Sequence, residues 1–117
     1  MLEEKAKELG RMIGQSPEYQ ALKRSSEALS ADRESVALLQ EMEKLRGDAQ
    51  ELIQRGENPT PEMEQQLDSM LEKIQSQSAY QRAVAAQENF DKLMMRVNQW
   101  IMDGMKKGAA SPIITLS

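Results

Sequence analysis

Residues 38–74 have the sequence LLQEMEKLRGDAQELIQRGENPTPEMEQQLDSMLEKI, and this stretch decides the fold. In its first half, apolar residues follow at gaps of four, three, four and three: Leu38, Met42, Leu45, Ala49 and Leu52. In its second half, the same spacing recurs at Met63, Leu67, Met70 and Ile74. Such gaps place the side chains on one face of an α-helix. Gly56 and the prolines at 59 and 61 lie between the two halves and favour a turn there, so the stretch predicts two helices joined as a helical hairpin.

Glycine, serine and proline residues predict where the other helices begin and end. Gly14 and Gly108 are candidate helix ends, and Ser16, Ser30 and Thr60 are candidate N-caps. The predicted helices run from about Leu2 to Ile13, from Pro17 through Leu29, from the Ser30 cap to Arg55, from Pro61 to Gln75, and from Ala79 to Lys107. The chain is therefore predicted to be all-α: an antiparallel helical bundle or coiled-coil hairpin of about five segments with a long C-terminal helix. We expect one helical domain over residues 1–108 and a flexible tail over residues 109–117.

The composition excludes most kinds of catalytic and metal site. The chain has no cysteine and no histidine, so it cannot form a Ser-His-Asp triad, a Cys-His pair or a zinc site of the usual type. No glycine-rich phosphate loop and no calcium loop is present. We therefore expect no enzyme activity, no cofactor, no bound metal and no small-molecule substrate.

The charge and the apolar runs limit the partners. The net charge of −4, without a basic cluster, argues against direct binding to nucleic acid. No run approaches the ~20 apolar residues that a membrane helix needs, and the N-terminus lacks the apolar run of a signal peptide. We expect no membrane partner and, by default, a cytoplasmic location.

The last predicted helix carries the candidate interface. Its apolar stripe includes Phe90, Met94, Val97 and Ile101. The only tryptophan of the chain, Trp100, lies beside this stripe, and Met102 lies off it. Methionine and tryptophan are common on protein-binding surfaces, although both also occur in cores. The candidate interface residues are Phe90, Met94, Val97, Trp100, Ile101 and Met102.

The order of several short motifs resembles the YlbF/YmcA family of small bacterial helical proteins. The motifs are Leu9-Gly10-x-x-Ile13, Ser16-Pro17-Glu18-Tyr19-x-x-Leu22, Leu29-x-x-Asp32, Leu38-Leu39, Ala86-Gln87-Glu88 and Lys92-Leu93-Met94-x-x-Val97-x-x-x-Ile101. The resemblance covers about Glu4 to Met105.

This resemblance implies an α-helical, usually dimeric protein with a regulatory role and no catalytic residues. Some members of the family assist ribonuclease Y in messenger RNA processing and so influence competence, sporulation and biofilm formation. Certain members carry iron–sulfur clusters on cysteines, which this chain lacks. We therefore expect a cytosolic regulatory or adaptor protein that forms a homodimer, and the resemblance implies family paralogues or ribonuclease Y as further partners. A structural coiled-coil scaffold or assembly chaperone without a regulatory role is the alternative.

Overall fold

The computed structural model describes residues 1–110, and all five helices that it contains are α-helices. They are α1 (Leu2–Gly14), α2 (Pro17–Ala31), α3 (Arg33–Gln54), α4 (Pro61–Gln75) and α5 (Ser78–Ala110). The all-α prediction with a long C-terminal helix is confirmed. Of the predicted tail, residues 109–117, Ala109 and Ala110 belong to α5, and residues 111–117 lie outside the described residues.

Two of the predicted N-caps are confirmed. The Oγ atom of Ser16 accepts a hydrogen bond from the backbone N–H of Tyr19 at 3.2 Å, and Oγ1 of Thr60 accepts one from the N–H of Met63 at 3.2 Å. In both cases a proline occupies the first helical position, where a missing N–H leaves no hydrogen bond unmade.

Two of the predicted helix boundaries are wrong, those at Ser30 and Gly108. Ser30 lies inside the last turn of α2, and α3 begins instead after Asp32, whose extended backbone (φ −84°, ψ 103°) separates the two helices. Helix α1 ends at Gly14 as predicted, but Gly14 does not form a left-handed cap, and Gln15 after it keeps right-handed geometry. Gly108 lies within α5, because a glycine weakens a helix without forcing it to end.

Gly56 ends α3 as predicted. It has the only positive φ within residues 1–110, +82°. The N–H of Glu57 donates to the carbonyl of Leu52 at 2.9 Å, and the N–H of Gly56 donates to that of Ile53 at 3.0 Å. This pair of bonds is a Schellman motif, which a glycine in the left-handed region completes without strain.

Helices α3 and α4 form the predicted antiparallel hairpin. Residues 41–48 of α3 and residues 66–73 of α4 line one shallow groove. Because only the six residues 55–60 connect the two helices, the helices run in opposite directions. Met42, Ala49 and Ile74 are the buried apolar residues on the predicted stripes.

The whole molecule is elongated and has a small core. Its radius of gyration is 21.7 Å and its extents are 68 × 36 × 19 Å, whereas a compact domain of this length has a radius of about 13 Å. The described chain buries only five apolar side chains: Met42, Ala49, Ile74, Ala86 and Val97. Most of the apolar face of each helix is therefore only half-buried or exposed.

Candidate interaction surface

Pairing with α2 positions the first part of α5. The rings of Tyr19 and Phe90 meet edge to face with centroids 5.6 Å apart, and Oε2 of Glu18 lies 3.8 Å from Nη2 of Arg96. The two helices are antiparallel, because residues at the start of α2 lie beside Arg96 and later ones beside Gln87. Edge-to-face aromatic contact favours this pairing beyond the area that it buries.

Helix α2 packs against α5 only up to the level of the first residue of α2. Pro17, the first residue of α2, lies beside Arg96, so α2 does not reach the turns that follow Val97. We call residues 98–110 the α5 arm. The apolar stripe continues along this arm at the same helical spacing, but Trp100 is 62% exposed, Ile101 44% and Met105 66%.

The structure divides the six candidate interface residues into three groups. Phe90 and Met94 are half-buried and Val97 is buried, in the part of α5 that pairs with α2. Trp100 and Ile101 continue the same face beyond α2 and are exposed. Met102 is 57% exposed and lies about 140° around the helix from Val97, at 100° per residue.

Met102 belongs to a second exposed face of α5. Met95, which is 71% exposed, stands seven residues earlier and so lies on the same side of the helix. The two methionines line one shallow, open depression together with Lys92, Arg96, Asn98 and Gln99. We call Met95 and Met102 the methionine face.

Helix α1 is a third surface, and the sequence did not mark it as a candidate. Its apolar residues Leu2, Ala6, Leu9 and Ile13 follow at gaps of four, three and four, yet α1 contains no buried residue. On this face Leu2 and Ala6 are exposed, whereas Leu9 and Ile13, which lie nearer to α2, are half-buried. The spacing itself was a visible signal, but spacing alone does not tell a covered face from an uncovered one.

Two glutamines at helix corners were also missed. Nε2 of Gln20 donates to the carbonyl of Gly14 at 2.8 Å, and Nε2 of Gln81 donates to that of Gln75 at 2.7 Å. Each bond spans six residues and ties a helix to the end of the helix before it. At the first corner, Oγ of Ser16 also donates to the carbonyl of Ile13 at 2.6 Å. These bonds fix the direction in which α1 leaves α2.

The described residues hold no cluster with the makeup of a metal site. Within residues 1–110, no three Asp or Glu side chains come together as ligands, and no helix is long and apolar enough to cross a membrane. The depressions on the surface are shallow and open. The arrangement offers apolar helix faces, which suit association with other proteins.

A family model described as "Control of competence regulator ComK, YlbF/YmcA" matches residues 2–106. The chain belongs to the YlbF/YmcA family. The family description is regulatory and names no reaction.

Curated relatives of this family member are UPF0342 proteins. The chain is 39% identical to one from Streptococcus gordonii over 71 residues, which are 61% of this chain and 63% of that protein, slightly less than two thirds of its length. It is 30% identical to one from Streptococcus sanguinis, over 84% of this chain and 88% of the relative.

The fold is also that of a solved structure. A chain in the crystal structure of Bacillus subtilis RicA in complex with RicF matches with a TM-score of 0.81 and 16% identity, covering 92% of this chain and 96% of that one. At this identity the likeness shows the helical fold alone.

Proposed function

We propose that this YlbF/YmcA family member is a non-enzymatic regulatory protein that works by binding other proteins through α5 and α1. The observation that carries the proposal is the stripe of α5, which is buried at Val97 and exposed at Trp100, Ile101 and Met105. An apolar face that continues beyond its cover within the chain is typical of a protein–protein interface.

The first partner that we propose is a second copy of the chain. The accessible surface is 9477 Å², whereas a compact protein of this mass exposes about 6,400 Å². Seven residues expose at most about 1,000 Å² in any conformation, so residues 111–117 account for no more than that, and an excess of roughly 2,000 Å² is left. A standard interface buries about 800 Å² on each partner, so the excess is large enough for a stable complex.

The methionine face is a second interface in this proposal, available to a different protein. Methionine side chains adapt to partners of different shape, and Lys92 and Arg96 beside them supply positive charge. We propose that a family paralogue or ribonuclease Y binds here, and that the protein thereby affects messenger RNA processing and the control of competence, sporulation or biofilm formation. The family description names competence control and the solved structure is a complex of RicA with RicF, and these statements about those proteins support the competence and paralogue parts of the proposal. The ribonuclease Y part rests on the family resemblance of the sequence.

Affinity capture from the lysate of the native host tests the proposed function. The baits are tagged wild type, Met102→Asp and a matched control, Ile53→Asp, which changes an exposed apolar residue on α3. We expect ribonuclease Y or a family paralogue to be enriched by wild type and Ile53→Asp but not by Met102→Asp, as measured by mass spectrometry. Recovery of the bait protein alone with all three would contradict the adaptor function and favour a self-assembling scaffold.

A further inference from the structure

We propose that the methionine face of α5 binds an acidic amphipathic helix of a different protein. Apolar side chains of that helix pack on the two methionines, and its carboxylates lie against the basic side chains around them. This inference deepens the proposed function and rests on its second interface. It names the chemistry of the segment that binds, whereas the proposed function requires only that another protein binds there.

The methionine face lies on the side of α5 that is turned away from the core. At 100° per residue, the midpoint between Met95 and Met102 lies about 150° around the helix from the buried Val97. The seven residues that separate the two methionines correspond to about 10.5 Å along the helix axis. Both side chains are mostly exposed. This spacing suits a partner helix whose apolar residues recur at i and i+7 on one face.

The charges around the methionine face are opposite in sign to those of the rest of the chain. Residues 92–107 have a net charge of +3, whereas the whole chain has −4, so the remaining residues have −7. A basic surface on an otherwise acidic molecule attracts a segment rich in carboxylates and disfavours a basic one. The charged residues of this segment are Lys92, Arg96, Lys106 and Lys107, with Asp103 as the acidic one, and all five are exposed.

The two lysines on this side of α5 have no acidic partner within the described chain. Among residues 1–110, no carboxylate oxygen lies within 4 Å of the Nζ atom of Lys92 or Lys106. Arg96 pairs with Glu18 of α2 at 3.8 Å, but more than half of its side chain stays exposed. Carboxylates of a partner can therefore approach both lysines without breaking an ion pair of this chain.

Acidic residues on the same side of α5 limit where the partner helix lies. Glu88 and Asp91 come directly before Lys92, are exposed, and lie within about 30° of the methionine face. They repel a carboxylate-rich helix, so we infer that it covers residues 92–106 and does not extend over the preceding turns. Fifteen residues of α5 span about 22 Å, which corresponds to about four turns of the bound helix.

Other occupants fit this face less well. Two methionine faces in contact would bring two charges of +3 together, which disfavours a second copy of the chain. Asn98 and Gln99 lie between the methionines in the shallow depression, so the apolar surface is too small for insertion into a membrane surface. Four cations with Asp103 among them are few for binding along a phosphate backbone. An acidic amphipathic helix uses both the apolar and the basic side chains.

Fluorescence anisotropy with a labelled synthetic peptide tests this inference on the full chain. The probe is a helical peptide of about 15 residues with leucines seven residues apart and glutamates around them. The control peptide has lysine in place of every glutamate. We expect the chain to bind the glutamate peptide at least about tenfold more tightly than the lysine peptide. A tenfold increase in NaCl concentration should weaken the binding, because salt screens exposed charges.

Single substitutions locate the bound peptide. Lys92→Glu and Lys106→Glu should each weaken binding of the glutamate peptide roughly five- to tenfold, and Met102→Asp should weaken it by at least as much. The matched controls change exposed residues of α3: Lys44→Glu reverses a charge, and Ile53→Asp replaces an apolar side chain. We expect both controls to keep the affinity within about twofold of wild type. Circular dichroism should show unchanged helicity, because none of these residues is buried.

Several results would overturn the inference. They are equal binding of the two peptides, no saturation below about 200 μM glutamate peptide, or a loss with Lys44→Glu as large as with Lys92→Glu. Tight binding to phosphatidylglycerol vesicles that Lys92→Glu and Met102→Asp abolish would overturn it in favour of a lipid surface.

The capture experiment separates this inference from the proposed function. A captured protein that is lost with Met102→Asp but retained with both Lys92→Glu and Lys106→Glu leaves the adaptor function standing and contradicts the acidic helix. Peptide binding with the expected pattern, together with recovery of the bait protein alone from the lysate, supports the recognition of acidic helices and contradicts the adaptor function.

Discussion

The two glycines of the α3–α4 hairpin differ in what their backbone requires. Gly56 has a φ of +82° in the turn that ends α3, a conformation that costs a residue with a Cβ about 1–2 kcal/mol. Gly47 lies inside α3, where a Cβ would meet nothing within 4 Å and where glycine is a weak helix former.

Alanine should therefore have opposite effects at the two positions. We expect Gly56→Ala to lower the free energy of unfolding by about 1–2 kcal/mol and Gly47→Ala to raise it by about 0.5–1 kcal/mol. Urea unfolding, followed by circular dichroism at one fixed protein concentration, measures both. Equal effects of the same sign would show that the turn at Gly56 does not have the described geometry.

Single residues also explain which helix boundaries the sequence could predict. Ser16 and Thr60 were predictable as caps because a proline follows each of them and only the N-cap position suits that pair. The prediction of Ser30 as a cap was wrong, because nothing in the neighbouring sequence shows that α2 continues through Ala31 and ends at the extended Asp32. The prediction that α5 ends at Gly108 was wrong, because a glycine permits a helix to end without requiring it.

At the scale of the helices, stability depends on a few contacts where two helices meet. Ile74 in the last turn of α4 is fully buried, whereas Ile53 near the end of α3 is exposed. The two residues have the same side chain, so they form a matched pair for measuring what burial contributes in this fold.

We expect Ile74→Ala to lower the free energy of unfolding by about 2–4 kcal/mol, because it removes buried methyl groups and leaves a cavity. Ile53→Ala should change it by less than about 0.5 kcal/mol. Urea unfolding of both variants at the same protein concentration provides the measurement. A similar loss for both would mean that Ile53 is covered in the assembled protein.

The extent of the candidate site could not be predicted from the pattern of α5. Periodicity predicted that Val97, Trp100 and Ile101 lie on or beside one apolar face, and the structure places them there. It could not predict that Val97 is covered and Ile101 is not, because this depends on where Pro17 of α2 lies along α5. For the same reason the spacing of α1 looked like that of a core helix.

At the scale of the whole molecule, the shape and the small core lead to one expectation. A chain with a radius of gyration of 21.7 Å and five buried apolar side chains in its described part gains little stability from its own packing. Contact with a second copy through α1 and the α5 arm would supply apolar burial that the single chain lacks. Folding and association should then be linked, as in obligate dimers.

The measurement that tests this most directly is the urea midpoint of unfolding as a function of protein concentration. If the chain completes its core with a second copy, the midpoint should rise by roughly 0.5 M urea for each tenfold increase in concentration, because mass action favours the associated state. A midpoint that stays constant over a hundredfold range of concentration would show that the single chain folds by itself, and it would contradict the account.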